Sequence, residues 1–197
     1  MALDVEHGLG AARIVMASEA DTVPSAVAVI VLVPAATPVT VPVLLTEAIV
    51  GAREDARRAG LDNVECITAD PSDFDETADR AAFDLVTALD AIHDQAKPRN
   101  VLRGIYSTLK PDGVYFMQDF SGSIHVEKDI RRPIGTFLYT VSCMHCMTVS
   151  LARGGEGLGA LWGEDRTREY LKTAGFRSVE TKRLPHDIQN NWSVARR

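Results

Sequence analysis

Three polar side chains that could take part in catalysis follow an apolar run in the middle of the chain. Asp90, His93 and Asp94 come after residues 83–89, FDLVTAL, whose composition predicts a strand. An imidazole with an ordinary pKa of about 6.5 can accept a proton near neutral pH. Open α/β sheets bind their ligands at the ends of strands. We therefore expect this segment to line a ligand site, with His93 either as a proton acceptor or as a cap of the following helix.

A second group of reactive side chains lies in the sequence SCMHCM. Cys143, His145 and Cys146 could bind zinc if His125 or His186 supplied a fourth ligand. Structural zinc sites usually combine two ligand pairs, and only one such pair is present, within an apolar stretch. We therefore predict no metal. We expect a helix over the ligand pocket instead, with His145 facing inward as a second candidate catalytic residue.

The elements that must position these residues form a βαβ unit over residues 83–119. A strand is followed by a polar turn, a helix with apolar residues at helical spacing, the turn Pro-Asp-Gly and a second strand. Strands alternate with helices along the rest of the chain as well. This alternation predicts an α/β fold with a Rossmann-like, doubly wound, mostly parallel sheet.

The remaining elements follow from similar patterns. We predict strands at residues 2–5, 26–33 and 64–68, a helix from a Gly8/Gly10 turn to about residue 20, a helix over 46–58 closed by Gly60, a helix over 164–174 closed by Gly175, and an antiparallel edge hairpin of strands 178–183 and 192–195. Residues 120–162, after the fifth strand, form a helical insertion or lid. Residues 1–197 then make a single domain.

Composition excludes several classes of partner. The net charge of −6 and the pI of about 5.4 give no general basic surface for nucleic acid. Three cysteines are an odd and sparse set, and no basic segment precedes an apolar one at the start, so we expect a cytoplasmic protein. Residues 22–46 carry no charge, but their four prolines argue against a membrane span, which needs roughly 20 uninterrupted apolar residues.

The tract LKPDG, with the strands and the helix around it, resembles the second half of class I S-adenosylmethionine (SAM) dependent methyltransferases. The resemblance extends over residues 3–194, and FLYTVSCMHCMTVSLARGGEGLGALWGE and RLPHDIQNNW resemble a bacterial-type subgroup that usually carries an N-terminal winged-helix-like domain, which we expect this chain to lack. The resemblance implies SAM as the cofactor and a small molecule as the substrate. The positions it implies for cofactor binding are Asp4, Gly8, Gly10, Asp70, Pro71, Leu89 and Asp90.

Two departures from that family pattern concern the cofactor. Glu6 stands where the glycine loop has its first glycine, and Val43 or Leu44 stands where a carboxylate would accept the ribose hydroxyls. One alternative is therefore an inactive, methyltransferase-like binding or interaction module. A nicotinamide-dependent oxidoreductase is a further alternative, although it would need a G-x-G-x-x-G turn and a ribose carboxylate that are lacking. The charge-free residues 22–46 also suggest a homodimer.

Overall fold

A computed structural model describes residues 12–17, 28–33, 54–60, 64–69 and 71–197 of the chain. Seven strands form one mixed sheet in the order β3-β1-β2-β4-β5-β7-β6. The strands are β1 (Ala12–Ala17), β2 (Ala28–Val33), β3 (Val64–Ala69), β4 (Phe83–Leu89), β5 (Leu109–Phe120), β6 (Ser178–Lys182) and β7 (Asn190–Arg196). The architecture is an α/β, Rossmann-like fold.

The helices lie mostly after β3. They are α1 (Phe74–Thr77), α2 (Pro98–Thr108), α3 (Val126–Asp129), α4 (Gly135–Val141), α5 (Met147–Ala152) and α6 (Glu164–Ala174). A π-helical turn, Ser142–Cys146, joins α4 to α5. Three of these helices, α3 to α5, lie between β5 and α6. Among the described residues, no helix has the length and apolar composition of a membrane span.

The beginning of the chain differs from the prediction. Residues 12–17 form a strand, so the helix predicted to run to about residue 20 is wrong. Neighbouring β-branched residues favour an extended backbone, and β1 pairs with β2 on one side and β3 on the other. The first strand predicted at residues 2–5 lies outside the described residues. Residues 54–58 are helical and end at Gly60 with a positive φ, as predicted.

The prediction of a mostly parallel sheet is also wrong. β1 with β3 and β4 with β5 are parallel, whereas β1 with β2, β2 with β4, β5 with β7, and β6 with β7 are antiparallel. Only residues 18–27 connect β1 to β2, and a parallel crossover needs about a dozen residues or more. A connection of that length fits an antiparallel pair. The antiparallel pair of β6 and β7 does form one edge of the sheet, with β6 outermost.

The βαβ unit of β4, α2 and β5 forms the centre of the core. Pro98 occupies the first turn of α2, where its missing N–H is not needed. Val101, Leu102 and Ile105 follow at helical spacing and are fully buried. β5 already begins at Leu109, so the Pro-Asp-Gly stretch predicted as a turn belongs to the strand, next to a register irregularity in the β4–β5 pairing. This unit places the ends of β4 and β5 side by side.

A close contact inside this unit gives a test of the packing. A Cβ on Gly104 would lie 2.7 Å from the carbonyl carbon and oxygen of Phe74. Gly104→Ala should therefore lower the free energy of unfolding by about 2 kcal/mol because of overpacking, although alanine favours a helix by about 1 kcal/mol. Urea unfolding measures the change. Lys172→Ala, at an exposed position of α6, is the control and should change stability by less than about 0.5 kcal/mol; a stabilised Gly104→Ala variant would contradict the contact.

Candidate functional site

Four acidic and imidazole side chains meet where β4 and β5 end. Asp90, His93 and Asp94 follow β4, and Asp119 is the penultimate residue of β5. Leu89 pairs with Gln118 across the two parallel strands, so the two ends are adjacent. We call Asp90, His93, Asp94 and Asp119 the carboxylate–histidine cluster. It lies at the sheet edge where the sequence pattern predicted a ligand site.

His93 is held between two carboxylates. Its Nδ1 lies 2.7 Å from Oδ1 of Asp119, and its Nε2 lies 3.2 Å from Oδ1 of Asp94. The ring centroid is 5.6 Å from that of Phe120. His93 and Asp119 are only 1% and 2% exposed. Both ring nitrogens of His93 therefore already face protein partners.

The surroundings of His93 set its protonation. Burial lowers the pKa of His93, but the charge of Asp119 and the hydrogen bonds to Asp119 and Asp94 outweigh burial and raise the pKa well above its ordinary value. Burial raises the pKa of Asp94, but the hydrogen bond to His93 and the charge of His93 outweigh burial and bring this pKa below its ordinary value. His93 is therefore an imidazolium at neutral pH. In that state it cannot accept a proton, so the geometry favours a positioning role, and the catalytic role of His93 stays a prediction.

Asp90 has a carboxylate oxygen with no protein partner. Its backbone φ is +47°, a conformation that aspartate tolerates better than most residues. Oδ2 accepts a hydrogen bond of 2.9 Å from Nε2 of Gln118, whereas the buried Oδ1 has no hydrogen-bond partner. Burial, followed by the charge of Asp119, raises the pKa of Asp90 to about 6. A half-buried carboxylate in this state is poised to receive a cation or a hydrogen-bond donor.

The π-helical turn brings the insertion against this cluster. Cys146 is buried, and its Sγ lies within 4.8 Å of ligand atoms of His93 and Asp94. Cys143 is exposed and His145 is half-buried. Among the described residues, the zinc arrangement of Cys143, His145 and Cys146 is not formed. The three groups that do meet, His93, Asp94 and Cys146, are fewer than the four ligands of a structural zinc site, and both nitrogens of His93 face carboxylates. The absence of a metal stays a prediction.

Several predicted cofactor positions lie outside the described residues: Asp4, Gly8, Gly10 and Asp70. Pro71 is buried at the start of a 3₁₀ turn after β3, and half-buried Leu89 is the last residue of β4. Because Asp90 follows Leu89 directly, two of the predicted positions lie at the cluster. The unpartnered Oδ1 of Asp90 fits a cofactor that carries positive charge, as SAM does.

A cavity of about 220 Å³ lies among residues of the insertion and against Arg166 of α6. Ser142 and Cys143 of the π-helical turn form part of its wall, so it lies within one helical turn of Cys146 and the cluster. Trp162 and Arg166 also line it. Arg166 and Asp119 were not among the residues predicted from the sequence. Asp119 could have been found from its position at the end of the strand that neighbours β4, whereas nothing in the sequence marks Arg166.

The fold is similar to solved methyltransferase structures. An O-methyltransferase family protein from Burkholderia thailandensis matches with a TM-score of 0.56 and 19% identity, covering 78% of this chain and 42% of that one. The methyltransferase CalH in complex with S-adenosylhomocysteine (SAH) matches with a TM-score of 0.53 and 23% identity, covering 76% and 40%. PigF with SAH matches with a TM-score of 0.55 and 17% identity, covering 78% and 42%. The chain thus spans about two fifths of the length of these proteins, and identities this low establish the fold alone.

A family model decides the classification. No match was found among curated proteins. The model described as a methyltransferase domain matches residues 45–175, which is more than half of the chain. The match includes the βαβ unit, the cluster, the insertion and α6. The chain therefore belongs to the methyltransferase domain family.

Proposed function

We propose that this chain binds SAM at the ends of β4 and β5 and transfers its methyl group to a small molecule held beneath the insertion. The observation that carries the proposal is Asp90, whose buried Oδ1 has no hydrogen-bond partner among the described residues, at the ends of the strands where this family binds its cofactor. The membership of residues 45–175 in a methyltransferase family supports the same reaction. The residue roles below are part of the proposal.

The cofactor residues divide between the described and the undescribed parts of the chain. Asp90 would accept a positively charged group through Oδ1, while Leu89 and Pro71 would form apolar walls. Asp4, Gly8, Gly10 and Asp70 complete the proposed set from the sequence alone. When bound, SAM supplies a methyl group on a positively charged sulfur, which leaves as neutral SAH once the acceptor has taken the methyl group. A carboxylate beside that charge stabilises the bound cofactor.

Proton removal from the acceptor is assigned to His145 rather than to His93. His93 is buried as an imidazolium with both nitrogens engaged, so it holds Asp94 and Asp119 in place. His145 is half-buried and lies on the same π-helical turn as Cys146. Because His145 does not line the cavity, its imidazole would take the proton that an oxygen or nitrogen acceptor loses on methylation only where the acceptor extends from the cavity towards His145. Residues 120–162 would then act as a lid over the acceptor.

The remaining expectations from the sequence concern the inactive module, the homodimer, the single domain and the cytoplasmic location. Neither the fold nor the family match supports the inactive binding module, although Glu6 and residues 43–44 lie outside the described part of the chain. The homodimer stays a prediction, because residues 22–46 on which it rests are described only over 28–33. A single domain and a cytoplasmic location also stay predictions.

Calorimetric titration of the whole chain with SAM and SAH tests the proposed function. Both should bind. Near pH 6, binding of SAM should release protons, because a cation beside Asp90 favours the ionised carboxylate over the protonated form. Titrations in two buffers with different ionisation enthalpies count the protons. Asp90→Asn is the control and should release none. If neither SAM nor SAH binds, the proposal fails in favour of the non-catalytic module.

The charge of Asp90 should cost stability in the free protein. Because the pKa of Asp90 is about 6 when folded and 3.8 when unfolded, its contribution to stability is present below pH 3.8 and is lost as the pH rises through 6. Asp90→Asn keeps the shape and tolerates a positive φ. The variant should raise the free energy of unfolding by about 1 to 2 kcal/mol at pH 7.5 and by much less at pH 5. Urea unfolding at both pH values measures this; an equal change at both would contradict the shifted pKa.

The buried His93 pair should stabilise the fold most at low pH. Since folding raises the pKa of His93, its contribution is fully present below about pH 6.5 and is lost as the pH rises through the folded-state value. His93→Gln should therefore lower the free energy of unfolding by about 3 kcal/mol at pH 6, and by less at pH 9. Denaturant unfolding of the variant and the native chain at both pH values provides the comparison. A loss that does not change with pH would show that folded His93 is neutral.

A further inference from the structure

The cavity among the insertion residues presents hydrogen-bond donors and no carboxylate. None of the side chains that line it is acidic. The polar residues that line it are Arg166, Trp162, Ser123, Tyr139 and Ser142. The Arg and Trp groups can only donate, and the hydroxyls can donate as well as accept. A ligand that fits this wall must therefore offer acceptors.

One of these donors is buried without any partner. Trp162 is 1% exposed, packs edge-on against Tyr170 and has no hydrogen-bond partner for Nε1 among the described residues. A buried indole N–H normally finds an acceptor, because leaving it unpaired costs free energy. Here the N–H belongs to a residue in the cavity wall. An acceptor oxygen in the cavity would satisfy it.

The guanidinium of Arg166 is the positive charge of the cavity. Arg166 lies in the first turn of α6 and is half-buried, and no ion pair or hydrogen bond engages it within the described ranges. The acidic neighbour Glu164 is directed elsewhere, since its two oxygens pair with Arg168 and Arg183. Arg166 is therefore available to a ligand. Arginine beside a planar carboxylate can form two parallel hydrogen bonds.

The rest of the wall fits an apolar body. Ile124, Leu158 and Leu161 line the cavity beside the rings of Tyr139 and Trp162. Burial, reinforced by the charge of Asp129, raises the pKa of Tyr139, so its hydroxyl stays protonated and able to donate. At about 220 Å³ the cavity is smaller than the roughly 300–1,000 Å³ of drug-sized sites. A single cation and neutral donors match one negative charge better than two.

We propose that the methyl acceptor is a small organic carboxylate with an aromatic or other apolar body, held in this cavity by Arg166 and Trp162. This rests on the proposed function, because Ser142 and Cys143 of the cavity wall belong to the same π-helical turn as Cys146, which lies beside the cluster. Arg166 pairs with the carboxylate, the Trp162 N–H donates to the same or a neighbouring acceptor oxygen, and the apolar wall surrounds the body. Arg166 is then a specificity-determining residue that does not take part in the transfer of the methyl group.

Matched carboxylates and amides test this inference without a variant. The probes are 3-phenylpropionate with 3-phenylpropanamide, and benzoate with benzamide, titrated into the whole chain in the calorimeter in the presence of SAH. Each pair has nearly the same shape and differs in charge. The carboxylates should bind about tenfold more tightly than the amides, since charge-assisted hydrogen bonds are roughly twice as strong as neutral ones. Equal affinity within both pairs, or binding of no probe, would overturn the inference.

Variants then locate the charge that is recognised. Arg166→Gln should reduce the preference for the carboxylate to within about twofold, and Arg166→Lys should keep part of it. Arg177→Gln removes an exposed arginine that does not line the cavity and should leave the preference unchanged. A preference that survives Arg166→Gln would overturn the assignment.

In a Trp192→Phe background Trp162 is the sole tryptophan, so its fluorescence should change on binding of the carboxylate.

SAM binding separates failure of this inference from failure of the proposed function. Arg166→Gln should bind SAM as the native chain does, because the cavity wall that contains Arg166 includes none of the described residues assigned to the cofactor. Carboxylate selectivity that is absent while SAM still binds would overturn the acceptor class and leave methyl transfer intact. Loss of SAM binding in the native chain would instead overturn the proposed function.

Discussion

The structure around the site depends on one buried charged histidine. His93 lies between Asp119 of β5 and Asp94 of the loop after β4, and it also approaches Cys146 of the insertion. Removing charges from water is costly, and this cost is recovered only when each charge has a well-placed partner. The pairing therefore ties the two central strands to the insertion. Without it, two carboxylates would remain buried beside each other.

The cluster also contains Asp90, whose buried Oδ1 has no hydrogen-bond partner among the described residues. Asp90 lies near Asp119 and Asp94, and together they raise its pKa, while burial contributes most. A carboxylate with an unpartnered oxygen in this position destabilises the free protein. Sites of this kind commonly trade stability for the ability to bind a ligand. In the proposed reaction, the cationic cofactor SAM would bind beside the carboxylate of Asp90.

The cavity has the opposite electrostatic character from the cluster. Its wall offers donors and the guanidinium of Arg166, whereas the cluster offers carboxylates. The π-helical turn contributes to both, since Ser142 and Cys143 line the cavity and Cys146 lies beside His93 and Asp94. π-Helical turns are often found at functional sites. In the proposed reaction, the positively charged cofactor would bind beside the carboxylates of the cluster, and the negatively charged acceptor would bind in the cavity.

Local sequence patterns were enough to predict several elements and the family. The apolar run of β4, the apolar spacing in α2 and the glycine after α6 depend on neighbouring residues, so β4, α2 and α6 could be predicted closely, whereas β5 begins earlier than predicted. The direction of β2 and the strand at residues 12–17 could not be predicted in this way, because strand pairing depends on partners far away in the chain. The same holds for the site. Asp90, His93 and Asp94 were evident as neighbours, whereas Asp119, Cys146 and Arg166 join them only through folding, since the protonation of a buried histidine and the charge of a cavity depend on contacts between distant residues.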